Sequence, residues 1–169
     1  VVTLAKQQNI PIRIGVNAGS LEKDLKEKDI PLSEKMVESA MKHIQILEDL
    51  DFDKIKISLK SSDVLTTIEA YRLMAQKVDY PLHLGVTEAG TLKNGLIKSS
   101  VGLGTLLAEG IGDTIRVSLT ENPIEEVYAG FEILKSLKLR QRGVNFVSCP
   151  TCGRTQINLI ELAKKVEDR

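Results

Sequence analysis

Tryptophan is absent from this chain, and aromatic residues make up 4% of it. Hydrophobic residues nevertheless reach 42%, which is enough for a buried core. The chain also lacks a net charge, because 23 basic residues balance 23 acidic ones. This balance gives no support to a nucleic-acid-binding protein or to an acidic tail.

Long apolar runs are missing as well. No run approaches the roughly 18 residues that span a bilayer, and no signal-peptide pattern opens the chain. The 2 cysteines are too few for a disulfide framework and fit metal ligands or a redox pair in a reducing compartment. We therefore expect a cytoplasmic protein without a membrane or nucleic-acid partner. The helical patterns at residues 1–9 and 157–169 lack a start and a continuation, so we also expect a fragment of a longer chain.

Short apolar runs rich in β-branched residues alternate with helical patterns. The runs predict strands at residues 10–16, 55–60, 82–87, 114–119 and 144–148. The helical patterns cover residues 33–50, 62–78, 94–110 and 123–137, with Ser33, Asp63 or Ser62, and Asn122 as predicted N-caps. This α/β alternation predicts a parallel sheet, either doubly wound or part of a (β/α)8 barrel. No GxGxxG or Walker A motif supports a nucleotide-binding version.

The first four predicted strands are apolar on only one face. In the first, Ile12, Ile14 and Val16 alternate with Arg13, Gly15 and Asn17, and the other three alternate in the same way. A sheet covered on both faces by helices should instead have nearly continuous apolar strands. Each buried unpaired polar group costs about 1–3 kcal/mol, so a doubly wound sheet is disfavoured. A barrel whose polar groups converge on a ligand at the carboxyl ends of its strands is favoured.

Polar residues at or near the strand ends form the candidate site. They are Arg13, Asn17, Lys60, Thr87, Glu88, Arg116 and Ser118. Three fixed cations against one carboxylate predict an anionic ligand, with phosphate as the first choice. Glu88 is the natural proton donor or acceptor beside them. Any one of these cations, taken alone, is equally compatible with a solvated surface group.

Histidines and cysteines carry the other chemical signals. His83 lies deeper in its strand, where we expect a structural hydrogen bond, and His43 is expected on a helix surface. Cys149 and Cys152 lie in the stretch CPTCGR, which is compatible with half of a zinc ribbon, a thioredoxin-like pair or half of an iron–sulfur ligand set. Both metal interpretations require further ligands.

Five motifs together resemble those of the 4-hydroxy-3-methylbut-2-enyl diphosphate synthases. They are IRIGVNAGSL, KISLKSSDV, LHLGVTEAG, DTIRVSLT and VSCPTCGRTQ, in this order and at similar spacing. The resemblance implies a bacterial oxidoreductase of isoprenoid biosynthesis that reductively opens 2-C-methyl-D-erythritol 2,4-cyclodiphosphate. It also implies a [4Fe–4S] cluster, ferredoxin or flavodoxin as electron donor, and a homodimer in which the cluster domain of one subunit closes over the barrel of the other.

The resemblance extends to individual residues. It implies substrate binding by Arg13, Asn17, Lys60, Thr87, Arg116 and Ser118, proton donation by Glu88, and cluster ligation by Cys149 and Cys152. The family has a third cysteine and a glutamate as further ligands, and the chain stops before both. We therefore expect the C-terminal half of a TIM-type barrel at residues 1–140 and the beginning of a small α/β iron–sulfur domain at residues 141–169. A fragment of this kind is expected to be inactive alone. The alternative is another phosphate-binding TIM-barrel enzyme with a zinc ribbon.

Overall fold

The computed structural model describes residues 1–167, which form alternating strands and helices. In chain order the elements are α1 (Val2–Gln8), β1 (Ile12–Asn17), α2 (Lys23–Lys26), α3 (Leu32–Glu48), β2 (Ile55–Lys60), α4 (Val64–Ala75), β3 (His83–Leu84), α5 (Leu92–Ala108), β4 (Thr114–Ile115), α6 (Pro123–Ser136) and α7 (Leu159–Glu167), with a 3₁₀ turn at Ala18–Ser20 after β1. The predicted helices are all present, although the end predicted for the last one lies outside the described residues. The α2 segment and the 3₁₀ turn were not predicted.

The strands are parallel and lie side by side in chain order. β1 pairs with β2 from Ile12 opposite Ile55 to Asn17 opposite Lys60, and β3 pairs with β4. A bridge between Ile57 and Leu82 joins the two pairs. Consecutive parallel β/α units in chain order are the arrangement of a (β/α)8 barrel. The prediction of parallel units that form part of a barrel is therefore confirmed.

One face of this sheet packs against helices α3, α4 and α5. The core consists mainly of aliphatic side chains together with the ring of Tyr71. Its fully buried members include Met36, Ile44, Ile57, Leu59, Met74, Leu84, Val86, Leu103 and Leu106. Helix α5 closely approaches the segment after β3 because Gly102 has no side chain: a Cβ there would lie 2.8 Å from Val86 Cγ2. The polar faces of the strands are thereby left on the other side of the sheet.

Two of the predicted helix caps are correct and one is wrong. Asp63 accepts a hydrogen bond from the Thr66 N–H at 2.7 Å, and Asn122 accepts one from the Ile124 N–H at 3.1 Å. Ser33 is not a cap, because α3 begins one residue earlier, after Pro31. The Ser33 side chain is instead buried and donates to Glu69 Oε2 at 3.3 Å, so a tertiary contact replaces the local one.

The prediction of a fifth strand at residues 144–148 is wrong. These residues are irregular, and Val144 and Val147 are each 84% exposed. Their β-branched side chains favour a strand, but a strand requires a neighbour that accepts and donates backbone hydrogen bonds. The Val144 carbonyl oxygen instead accepts a hydrogen bond from a side chain, that of Lys135, at 3.4 Å from Nζ.

The third and fourth strands are shorter than predicted. Residues 82–87 and 114–119 were expected, whereas regular pairing covers His83–Leu84 and Thr114–Ile115. The Arg116 N–H still donates to the Leu84 carbonyl at 2.8 Å, so the two segments continue side by side beyond the regular part of β3 and β4. Among residues 1–167, no helix is both long and apolar enough to cross a membrane.

Candidate functional site

The polar face of β1 and β2 brings basic residues from the two strands together. In the parallel register Arg13 lies opposite Lys56, Gly15 opposite Ser58, and Asn17 opposite Lys60. The Lys60 side chain extends across Gly15, where an added Cβ would lie 3.6 Å from Lys60 Nζ. The sequence pattern thus places three cations on one face of two neighbouring strands.

The second strand pair adds Arg116 to this face. His83 lies opposite Thr114, with 2.8 Å between His83 Nδ1 and Thr114 Oγ1, and Arg116 follows two residues after Thr114. The guanidinium lies against Gly85: a Cβ at that position would be 3.1 Å from Nη2 and 3.2 Å from Nε. Any side chain at Gly85 would therefore displace Arg116.

Two nitrogens of the Arg116 guanidinium are buried. Its Nε and Nη2 atoms have no hydrogen-bond acceptor among the described residues. Within residues 1–167, the basic residues of this face also make no salt bridge; they are Arg13, Lys56, Lys60 and Arg116. The outer helices carry several salt bridges. Buried polar groups are nearly always paired, and guanidinium N–H groups match the oxygens of carboxylate and phosphate. This cationic face is therefore suited to an anionic ligand.

The acidic residue of the candidate set lies in the loop after β3. Glu88 is exposed and has a left-handed backbone conformation, with φ of 52°. The loop is held at both ends, because the Thr87 N–H donates to the Ser61 carbonyl at 3.0 Å and the Thr120 N–H donates to the Gly90 carbonyl at 2.9 Å. A left-handed conformation at a residue other than glycine costs about 1–3 kcal/mol and is frequent at functional sites.

Two polar residues of the set are Asn17, at the end of β1, and Ser118, three residues beyond β4. Asn17 Oδ1 accepts a hydrogen bond from the Gly19 N–H at 3.2 Å, so its side chain shapes the turn after β1 and leaves the amide nitrogen for a ligand. Ser118 is half-buried two residues beyond Arg116. Their ligand-binding roles stay predictions.

Three inward-facing residues were not among the predicted ligands. Lys56 and His83 have the same strand parity as Arg13 and Arg116, and this parity was the signal that could have identified them. The third, Ser58, has a buried hydroxyl that forms no hydrogen bond with the described part of the chain. They extend the polar face below the strand ends.

His83 lies among like charges. Partial burial lowers its pKa below the ordinary value of 6.5, and the neighbouring Arg13, Arg116 and Lys56 lower it further. His83 is therefore neutral at pH 7, with one ring nitrogen engaged by Thr114. Its contact agrees with the predicted structural hydrogen bond.

Acidification is expected to destabilise the chain through His83. Because the pKa is lower in the folded state, the unfolded chain binds more protons as the pH falls through 6.5. Urea unfolding at about pH 7.5 and about pH 5.5 should show this loss, and His83→Asn should reduce it. His43→Asn is the control, since His43 is half-exposed on α3, 3.8 Å from Glu22. An unchanged pH dependence in His83→Asn would contradict the assignment.

The cysteines form a separate, exposed site. Cys149 and Cys152 are both free, and Cys149 Sγ donates to the Pro150 carbonyl at 3.3 Å. The Arg154 N–H and then the Thr155 hydroxyl lower the pKa of Cys152, which favours its thiolate. The hollow beside Cys149 is lined by its own loop and α7. No group of three or more His, Cys, Asp or Glu residues suited to a metal occurs within residues 1–167.

Parallel β/α units in chain order, with a cationic face opposite the helices, define a protein of the TIM-barrel class. The family described as the GcpE TIM-barrel domain matches residues 1–131. The chain belongs to this family.

Curated relatives match the whole chain. It is 65% identical to a protein of Geobacter sulfurreducens, 62% to one of Clostridium perfringens and 59% to one of Idiomarina loihiensis, each over 100% of the chain. All three carry the name 4-hydroxy-3-methylbut-2-en-1-yl diphosphate synthase (flavodoxin). The match covers 48%, 49% and 46% of these relatives, so the chain spans about half of their length.

Proposed function

We propose that the full-length protein containing this chain is a 4-hydroxy-3-methylbut-2-enyl diphosphate synthase of isoprenoid biosynthesis. It opens the ring of 2-C-methyl-D-erythritol 2,4-cyclodiphosphate with two electrons and releases 4-hydroxy-3-methylbut-2-enyl diphosphate. The names of the relatives support this reaction and flavodoxin as the donor. The observation that carries the proposal is the cationic strand face, on which buried Arg116 nitrogens lack an acceptor among the described residues.

The chain's own residues divide the work by position. Arg13, Lys60 and Arg116 bind the diphosphate, with Asn17, Thr87 and Ser118 as polar ligands at the strand ends. Glu88, in the loop after β3, donates a proton to the opening ring. Fixed cations around a diphosphate anchor the substrate, so a proton donor on the adjoining loop acts at a defined distance.

Cys149 and Cys152 have the donor chemistry that an iron–sulfur cluster requires. Both thiols are exposed, and backbone and hydroxyl donors stabilise the Cys152 thiolate, the form that binds iron. They would hold two positions of a [4Fe–4S] cluster whose remaining ligands lie outside this chain. When bound, the cluster supplies the electrons for the reduction.

We assign residues 1–140 to the barrel and residues 141–169 to the cluster domain, and propose a cytoplasmic homodimer.

Metal analysis of the full-length protein tests this proposal. After anaerobic purification we expect about four iron and four sulfide per chain and conversion of the cyclic diphosphate in the presence of reduced flavodoxin. Cys152→Ser should lose the iron and the turnover, whereas Thr151→Ser in the same loop should keep both. Stoichiometric zinc without sulfide would contradict the proposal and support the zinc-ribbon alternative.

A further inference from the structure

The hydroxyl of Tyr71 interrupts the hydrogen-bond ladder between β2 and β3. The Ile57 N–H donates directly to the Pro81 carbonyl at 2.9 Å, and the Thr87 N–H donates to the Ser61 carbonyl at 3.0 Å further along. In this parallel register the Leu59 N–H would be paired with the His83 carbonyl. It donates instead to the Tyr71 hydroxyl at 2.9 Å, and that hydroxyl donates to the His83 carbonyl. One direct rung of the ladder is thus replaced by a side-chain oxygen.

This tyrosine enters the sheet from the helix side. Tyr71 belongs to α4, is 0% exposed and packs within the core. Burial raises the pKa of its hydroxyl to about 12, so the hydroxyl stays protonated at neutral pH. It therefore keeps its hydrogen bond to the His83 carbonyl. The ring fixes the position of the oxygen, because a fully buried aromatic side chain has little freedom to move.

An oxygen inserted between a donor and an acceptor separates the strands. Two successive hydrogen bonds of about 2.7–3 Å replace one, which widens the gap by roughly 1–2 Å when the oxygen lies off the direct line. The strands come together again at Thr87 and Ser61. The inserted Tyr71 hydroxyl, called the wedge below, therefore bends β2 away from β3 over a short stretch just before the predicted ligand Lys60.

The bowed stretch faces the candidate site. Ser58, beside the wedge on β2, has a buried hydroxyl without a partner among residues 1–167. Gly85, beside the wedge on the β3 side, supports the Arg116 guanidinium. Lys60 follows on β2, and Thr87 and Glu88 follow on the β3 side. A change in the distance between the strands at Tyr71 would therefore move the predicted anion ligands and the predicted proton donor, which follow on the two strands.

We propose that Tyr71 is a positioning residue that holds β2 and β3 apart at Leu59 and His83, just before Lys60 and Thr87, and so sets where the anchor Lys60 and the proton donor Glu88 lie relative to the substrate. This inference rests on the function proposed above. It assigns Tyr71 no contact with the substrate.

Tyr71→Phe in the full-length protein tests the wedge. The ring is retained, the oxygen is lost, and the two strands are free to pair directly. We expect turnover per folded molecule to fall about 10–100-fold, with a much smaller change in KM, because a displacement of about 1 Å between anchor and donor costs up to that factor. Tyr80→Phe is the matched control: it removes a hydroxyl in the loop before β3 that donates to Glu48, the last residue of α3, at 2.8 Å. Restoration of turnover by p-aminophenylalanine at position 71 would confirm the role of the polar atom.

The possible outcomes separate this inference from a structural role and from the proposed function. A lower melting temperature with unchanged turnover per folded molecule would overturn the positioning role. A second measurement needs no variant: inorganic pyrophosphate should slow hydrogen exchange of the Leu59 amide in the unaltered protein, and no change would count against the coupling. If the unaltered protein does not convert the cyclic diphosphate, the proposed function fails, while the pyrophosphate experiment still tests the wedge.

Discussion

Glu88→Gln is expected to lower the turnover of the full-length protein by about 10³-fold and to leave substrate affinity within a few-fold. Glutamine keeps the length and shape of the side chain but has no carboxyl proton to donate. The loop should keep its conformation, because Thr87 and Gly90 hold it through backbone hydrogen bonds that the substitution does not touch. Single-turnover kinetics together with a direct binding measurement will separate the chemical step from binding.

Glu34→Gln is the control for this change, since Glu34 is an exposed carboxylate on the outer helix α3 and is not part of the candidate site. It should leave both turnover and binding unaltered. If the protein were a non-enzymatic binding module, Glu88→Gln would also have no effect. A loss of affinity equal to the loss of turnover would instead make Glu88 a ligand of the substrate.

Arg116→Met is expected to have opposite effects on stability and on binding. The free protein should gain about 1–3 kcal/mol in its free energy of unfolding, because two buried guanidinium nitrogens without an acceptor in residues 1–167 are replaced by an apolar chain of similar length. The affinity for inorganic pyrophosphate should fall about 10–100-fold, since charged hydrogen bonds contribute about 1.5–3 kcal/mol each. Urea unfolding and calorimetric titration measure the two quantities.

Arg72→Met provides the comparison for Arg116→Met. Arg72 pairs with Glu109 on the outer surface, where an ion pair contributes at most about 1 kcal/mol. We expect a small loss of stability and no change in pyrophosphate affinity. If Arg116→Met destabilised the free protein, the guanidinium would have a structural partner, and the interpretation of this residue as an unpaired anion ligand would be wrong.

Strand parity was sufficient to predict the face on which the cations lie. Alternation is a local property of an extended chain, and the parallel register converts it directly into neighbours such as Asn17 and Lys60. The caps Asp63 and Asn122 were predictable for the same reason, because a cap is a contact within one turn of the chain.

Features that depend on distant segments could not be predicted in this way. The position of the Tyr71 hydroxyl between β2 and β3 requires the packing of α4 on the sheet. Ser33 has a favourable cap sequence, but its hydroxyl contacts Glu69 of another helix. The valines at positions 144 and 147 favour a strand by composition, yet pairing depends on an available edge rather than on the residues themselves.

The buried phenol of Tyr71 also has an optical consequence. The chain contains 3 tyrosines and no tryptophan, so its near-ultraviolet absorbance and fluorescence are dominated by tyrosine. Tyr128 is 56% exposed. Tyr80 lies in the loop before β3, and its hydrogen bond to Glu48 raises its pKa. Burial in the core raises the pKa of Tyr71 by a large amount, to about 12. The last tyrosinate band to develop in an alkaline titration therefore belongs to Tyr71. The strand junction beside the candidate site carries its own chromophore, which requires no label.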